Sequence, residues 1–183
     1  MSHSYPTFAK HLFCKTVTVI NLNDSGPGSL RDAIATARAG DIIRFAPDLA
    51  NQTITLTSGQ LEIPLGKNLV IDGMDAPHLT ISGNQTHRIF YLQAGVAVAM
   101  SLTIKNLRLA DGYTPDRGAA IYTSYRGALH IENIKFANNV AEKGGGAVFS
   151  AMIKTPAPTK HGFWQQLRAL QSSFKKRSVV SHH

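Results

Sequence analysis

The sequence predicts an all-β fold: a parallel β-helix, a single-stranded solenoid of about three to four rungs. A capping helix is predicted before it and an amphipathic helix after it. Three observations carry this prediction. Residues 102–123 can be laid over residues 129–150 at an offset of 27 without a gap. From residue 53 onward the chain is a series of short apolar and β-branched runs separated by Gly, Asn, Asp or Pro, and no helical period joins them. Charged residues make up only 16% of the 183 residues while hydrophobic ones reach 43%. That composition suits strands and turns around a substantial core and excludes a disordered chain.

Residues 16–20, Thr-Val-Thr-Val-Ile, alternate and read as the first strand. Asn23-Asp24-Ser25-Gly26-Pro27-Gly28 is a turn cluster, and a helix over 29–39 should follow it. Ser29 caps that helix with Asp32 completing a capping-box-like pair. Leu30, Ala33, Ile34 and Ala37 form one apolar stripe at i, i+3, i+4 and i+7, and Gly40 supplies the stop. Strands resume at 41–45 and continue through 53–56, 69–71, 79–81, 89–92, 102–104, 120–122, 129–131 and 147–149.

Within the repeat, Leu102 meets Leu129, Ile104 meets Ile131, Asn106 meets Asn133 and Gly118 meets Gly145. A unit reads apolar-x-apolar, Asn, apolar-x-apolar, polar loop, Gly-small-Ala-apolar-aromatic. In a parallel β-helix each unit is one rung, and like residues stack on like about 4.8 Å apart. Leu102, Ile104, Leu107, Leu109 and Ile121 would point inward as an apolar column. Asn106 above Asn133 would form an amide ladder at a corner, satisfying turn backbone groups.

The expected organisation is an N-terminal extension (1–15), a β-helix domain (16–150) and a basic linker and tail (151–183). After Ser150 the repeat stops, and Thr155-Pro156-Ala157-Pro158-Thr159 reads as a linker. Phe163, Trp164, Leu167, Leu170 and Phe174 then share one helical face. The segment 162–177 is expected to cap the solenoid's last rung or to touch an anionic surface.

The net charge of +8 is concentrated in this tail. Of 19 basic residues, Lys154, Lys160, Arg168, Lys175, Lys176 and Arg177 lie after residue 150 with no acid among them, leaving 13 against 11 acids in the body. The body thus offers no clear nucleic-acid footprint. Cys14 is the single cysteine, so no intrachain disulfide forms. The first twenty residues hold no apolar core of a signal peptide. The most apolar stretch, 89–104, falls short of the roughly 20 residues that span a bilayer.

Asn23-Asp24-Ser25-Gly26-Pro27-Gly28-Ser29-Leu30-Arg31-Asp32-Ala33-Ile34, followed by Gly40-Asp41-Ile42-Ile43-Arg44-Phe45, resembles the N-terminal segment of bacterial right-handed β-helix repeat proteins. In these a Ser-Leu-Arg-acid-Ala-Ile helix caps the solenoid. The later Gly-Gly-Ala-apolar-aromatic signatures resemble pectin-lyase-like repeats, including those of polymorphic outer-membrane and adhesin-like proteins. The resemblance covers roughly residues 16–150. It implies a right-handed solenoid in a secreted or cell-surface setting, more than it implies a reaction. The small number of rungs points to a shortened relative of larger exported proteins.

Two function classes follow. The first is a non-enzymatic module that binds a glycan or protein, or serves a structural role, using exposed Tyr113, Arg117, Tyr125 and Arg126. Tyr122 reads as a core stacking partner of Phe149. The second is a carbohydrate-active enzyme, since polysaccharide lyases on β-helices use acids for Ca²⁺ and a Lys or Arg as base. Asp111 and Asp116 with Lys105 or Arg108 would be its machinery. Asp72 with Asp75 is a weaker metal pair, with Arg88 as its neighbouring base. The repeat replaces Asp111 with Asn138 and Asp116 with Lys143, so no acidic row builds along the solenoid. The module is therefore the favoured reading, with no cofactor; Ca²⁺ belongs to the enzyme alternative.

Overall fold

The computed structural model describes residues 14–92, 100–124 and 127–150. In chain order these form β1 (Thr16–Val19), α1 (Leu30–Thr36), β2 (Ile42–Phe45), a 3₁₀ turn (Pro47–Leu49), β3 (Thr53–Thr55), β4 (Leu61–Ile63) and β5 (Leu69–Asp72). There follow β6 (Thr80–Ser82), β7 (Phe90–Leu92), β8 (Met100–Ala110), β9 (Tyr113–Thr114), β10 (Ile121–Thr123), β11 (Gly127–Ala137), β12 (Val140–Ala141) and β13 (Val148–Ser150). All the ladders are parallel. Strands β1, β2, β5, β8 and β11 stack in that order, β3 and β6 continue onto the distal arm of β8, and β4, β7, β10 and β13 form a second sheet. A short third ladder joins β9 to β12. The molecule is a β-solenoid.

The repeat and the ladder agree residue by residue. Leu102 pairs with Leu129, Ile104 with Ile131, Leu107 with Ile134, Leu109 with Phe136 and Ile121 with Val148. The first sheet is five strands deep, more than the three to four rungs expected. The early rungs were under-counted because their spacings differ: Thr16 pairs with Ile42, Ile42 with Val70 and Leu69 with Leu102. Unequal loops break a gapless repeat without disturbing the stack.

Alternation along each strand places one set of side chains inside. Leu102, Ile104, Leu109 and Ile121 are fully buried, as are Ile43, Ile54, Ile71, Ile81 and Phe90 in earlier rungs. Each such side chain contributes about 1.5–3 kcal/mol of hydrophobic stabilisation. The corner within β8 and β11 is made by Asn106 (φ 56°) and Asn133 (φ 50°), in the left-handed region that Asn tolerates best among residues with a Cβ. The expected amide ladder is there: Asn133 Nδ2 donates to Asn106 Oδ1 at 2.9 Å. It extends one rung further, because Asn106 Nδ2 donates to Asp72 Oδ1 at 2.8 Å. Gly73 lies beside this corner, where a Cβ would meet the Asn106 carbonyl oxygen at 2.3 Å.

Helix α1 begins as predicted, with Ser29 Oγ accepting from Asp32 N at 3.2 Å. The reciprocal bond comes from Gly28 N to Asp32 Oδ2 at 3.4 Å. The helix ends at Thr36, three residues before the expected 39. Lys67 Nζ crosses from another rung to donate to the Ile34 and Ala35 carbonyls, at 3.1 and 2.7 Å. These carbonyls lack partners within the helix, and a cation suits that end. Asp41 then accepts from Arg38 N (2.8 Å) and Lys15 N (2.9 Å), which hold its carboxyl below the usual carboxylate range against the opposing effect of burial. Buried Leu30, Ala33 and Ile34 face the solenoid, and the helix packs on β1 and β4. It covers the N-terminal end of the second sheet, as the apolar stripe predicts.

Arg31 and Asp24 lock this cap. Arg31 Nη2 donates to Asp24 Oδ1 and to the Gly59 carbonyl, both at 2.7 Å, and Nη1 donates to the Gln60 carbonyl at 2.7 Å. Asp24 also accepts from Thr57 N (3.2 Å), Ser58 N (2.7 Å) and the Ser58 hydroxyl. Burial alone would raise the Asp24 pKa, but the bonds from Ser58, Arg31 and Thr57 outweigh it and hold the carboxyl well below the ordinary range.

No helix among the described residues is long and apolar enough to cross a membrane. Cys14 is exposed. The expected amphipathic helix of the tail, with the rest of 151–183, lies outside the described residues.

Candidate functional site

The period-two alternation that buries Phe90, Leu92 and Ile121 turns the middle residue of each second-sheet strand outward. Glu62, Tyr91, Tyr122 and Phe149 are therefore aligned in register across β4, β7, β10 and β13. Tyr91 and Tyr122 stack with ring centroids 5.2 Å apart, and Tyr122 and Phe149 at 5.5 Å, with the planes within 21° of parallel. Tyr122 does stack on Phe149, but on the half-buried outer face and not in the core. The spacing follows from the strand separation, since aromatics at equivalent rung positions are brought to stacking distance.

Two guanidiniums complete this face. Arg88 lies 5.3 Å from the Tyr91 centroid and 5.0 Å from that of Tyr122, and Arg117 lies 5.1 Å from that of Phe149. Arg88 donates to Gln60 Oε1 (2.7 Å), the Gly118 and Arg117 carbonyls (both 3.0 Å) and Thr114 Oγ1 (3.3 Å). It thus ties three rungs together. All these acceptors are neutral, and burial lowers its pKa against the pull of Tyr91, Asp116 and Tyr122. The arrangement is an outward aromatic face with two guanidiniums against it. Aromatic and Arg side chains of this kind dominate protein interfaces.

The residues read as candidates from the sequence are distributed elsewhere. Asp72 is buried and ion-paired with Lys105 (3.7 Å) and Arg44 (3.8 Å). Asp75 pairs with Arg44 at 2.9 Å, which raises the Arg44 pKa. Both carboxylates thus meet Arg44, while Arg88 serves the aromatic column. Asp111 Oδ1 accepts from Asn138 Nδ2 at 3.2 Å, and Asp116 faces Lys143 at 3.7 Å. Arg108 is exposed on the distal arm of β8, in register with Thr80 and Lys135. Lys105, Asp111 and Asp116 each engage a partner outside the proposed catalytic set.

Tyr113 donates its hydroxyl to Glu142, which raises the Tyr113 pKa. With Gln85, Asp111, Gly112, Asn138 and Val140 it lines a shallow depression of about 340 Å³. Arg117 is exposed beside Phe149, while Tyr125 and Arg126 lie outside the described residues. No group of three His, Cys, Asp or Glu among the described residues is placed to hold a metal ion. The sequence reading missed the role of Arg88 and the full length of the aromatic column. Its signal was the aromatic at 91, 122 and 149, hidden by the unequal intervals between rungs.

Residues 133–151 match the family described as the Chlamydia polymorphic membrane protein (Chlamydia_PMP) repeat. No curated protein matches the chain. The matched segment runs from the Asn133 corner through β12 to the end of β13, which is most of the last described rung. In that repeat and in its β-solenoid fold, the chain resembles β-helix repeat proteins of the polymorphic outer-membrane type.

Proposed function

We propose that this chain is a non-enzymatic β-helix module of surface, adhesin-like type, which holds a glycan or a protein on the outward face of its second sheet. The observation that carries this reading is the Tyr91–Tyr122–Phe149 column with Arg88 and Arg117 against it. A rigid solenoid presents these groups at fixed spacing, so little conformational entropy is lost when a partner docks. The repeat match supports the surface-type setting. The pairing of Asp111, Asp116 and Lys105 with other groups supports binding over cleavage.

The test is to incubate the purified chain with acidic and neutral polysaccharides, with Ca²⁺ and with chelator, reading bound polymer and polymer length together. The expected result is binding to an acidic polymer with no shortening, weakened by Arg117→Glu. Shortening that is abolished by chelator and by Asp111→Ala would make the chain a lyase and discard this reading.

A further inference from the structure

We propose that the outer face of the distal arm of β8 and β11 binds an acidic polysaccharide, whose anionic groups sit between Arg108 and Lys135. This face is separate from the second sheet, so the inference stands apart from the aromatic column. In the first sheet, charged residues that face each other across neighbouring strands alternate in sign. Arg44 is opposite Asp72, Asp72 opposite Lys105, and Lys105 opposite Glu132. Two of these contacts close as ion pairs, with Arg44 at 3.8 Å and Lys105 at 3.7 Å from Asp72. Arg108 opposite Lys135 is the one like-charge pair in the described ladders. Neighbouring strands lie about 4.8 Å apart, so these two cations repel where the other charged partners attract. Both are exposed, and among the described residues neither has a carboxylate within ion-pair distance. The acids nearest in sequence, Asp111 and Glu132, face Asn138 and Lys105 instead. The repulsion costs the fold stability, and an anion held between the two cations relieves it.

The shape of the occupant follows from the rest of the column. Thr53 pairs with Thr80 and Thr80 with Arg108, so two hydroxyls, a guanidinium and an ammonium stand in line over about 14 Å. Ile54, Ile81 and Leu109 beside them are buried, which turns the row outward. A linear polymer bearing both anionic groups and hydroxyls matches this row along its length. The row holds no aromatic to stack on a nucleotide base and no apolar side chain to enter a membrane. Strand β8 is flanked by β6 and β11, so an acidic peptide finds no free edge there.

The probes are dextran sulfate and neutral dextran, which share one backbone, added to the full chain. Lysine acetylation followed residue by residue by mass spectrometry separates this site from the basic residues after 150. Dextran sulfate is expected to slow acetylation of Lys135 several-fold and to leave Lys67 little changed, while dextran protects neither. High salt should remove the protection. Arg108→Gln should abolish it with the fold intact. Lys135→Glu turns the like pair into an opposite one and should raise the melting temperature slightly. Lys135 left unprotected, protected equally by dextran, or protected no more than Lys67 would overturn the proposal. So would a melting temperature lowered by Lys135→Glu, or stronger protection by anionic vesicles or single-stranded DNA than by dextran sulfate. Protection lost in Arg117→Glu but kept in Arg108→Gln would move the polymer to the second sheet and overturn it as well.

Discussion

The two ends of this solenoid differ in how their side chains and backbone are satisfied. At the N-terminal end, Arg31 covers the Gly59 and Gln60 carbonyls, Lys67 covers the last turn of α1, and Asp24 gathers five donor groups. On the last described rung, the ion pair Lys143–Asp116 spans two groups more than half exposed, and Ile131, Phe136 and Val148 are only partly buried among the described residues. A parallel β-helix gains stability from each added rung, but each end leaves an unpaired ladder and an open core. The N-terminal end resolves this with a short helix and a few long-range side-chain bonds.

The largest contrast should come from removing one cation at each end. Arg31→Ala leaves the carboxylate of Asp24 without its cation and two carbonyls without donors. It should cost about 3 kcal/mol in urea unfolding. Lys143→Ala breaks only an exposed pair and should stay within about 0.5 kcal/mol. Equal effects would erase the distinction between the ends.

A matched glycine pair sharpens it. Gly118 and Gly145 sit one rung apart at the same φ of 69°. A Cβ on Gly118 would meet the Ile121 carbonyl oxygen at 2.6 Å, whereas on Gly145 the nearest atom is at 3.0 Å. Both changes force a side chain into the left-handed region at about 1–2 kcal/mol. Gly118→Ala should cost about 1 kcal/mol more than Gly145→Ala, because its neighbours are held in the stack. The reverse order in thermal melts would show that the last rung is the tighter one.

Acid should act first on the closed end. Asp24 and Asp41 both have lowered folded-state pKa values, so their contribution is complete above the unfolded carboxylate value of about 4 and is lost as pH falls through the folded values. Melting temperature should hold between neutral pH and that point, then decline. Asp24→Asn should lower the plateau and flatten the decline. An unchanged slope in that variant would remove Asp24 from the account.

Much of this was legible in the sequence because the last two described rungs are equal in length. The offset of 27 gives the register of β8 with β11 and of β10 with β13 directly. Ser29 and the Leu30–Ala37 stripe likewise mark α1. Gly40 misled about where the helix stops: it does take a positive φ of 92°, but to turn the chain into β2. Strand β4, Leu61-Glu62-Ile63, has the same apolar-x-apolar form as the runs read from the sequence and went unread beside them. The bonds of Arg31 and Asp24 to residues 57–60 and the Arg88 tie join residues 26–34 positions apart, so only the stacked fold brings them together. Asp72 reads in the sequence as a weak metal candidate through its neighbour Asp75, whereas the fold places it at the foot of the Asn106–Asn133 ladder.

The most direct test of the closed and open ends is amide hydrogen exchange on the intact chain, followed by segment. Exchange should be slowest through β5–β10, nearly as slow through α1 and β4, and fastest among the described strands through β11–β13. Protection through β11–β13 equal to that of β8–β10, or an α1 that exchanges as fast as β13, would contradict the account.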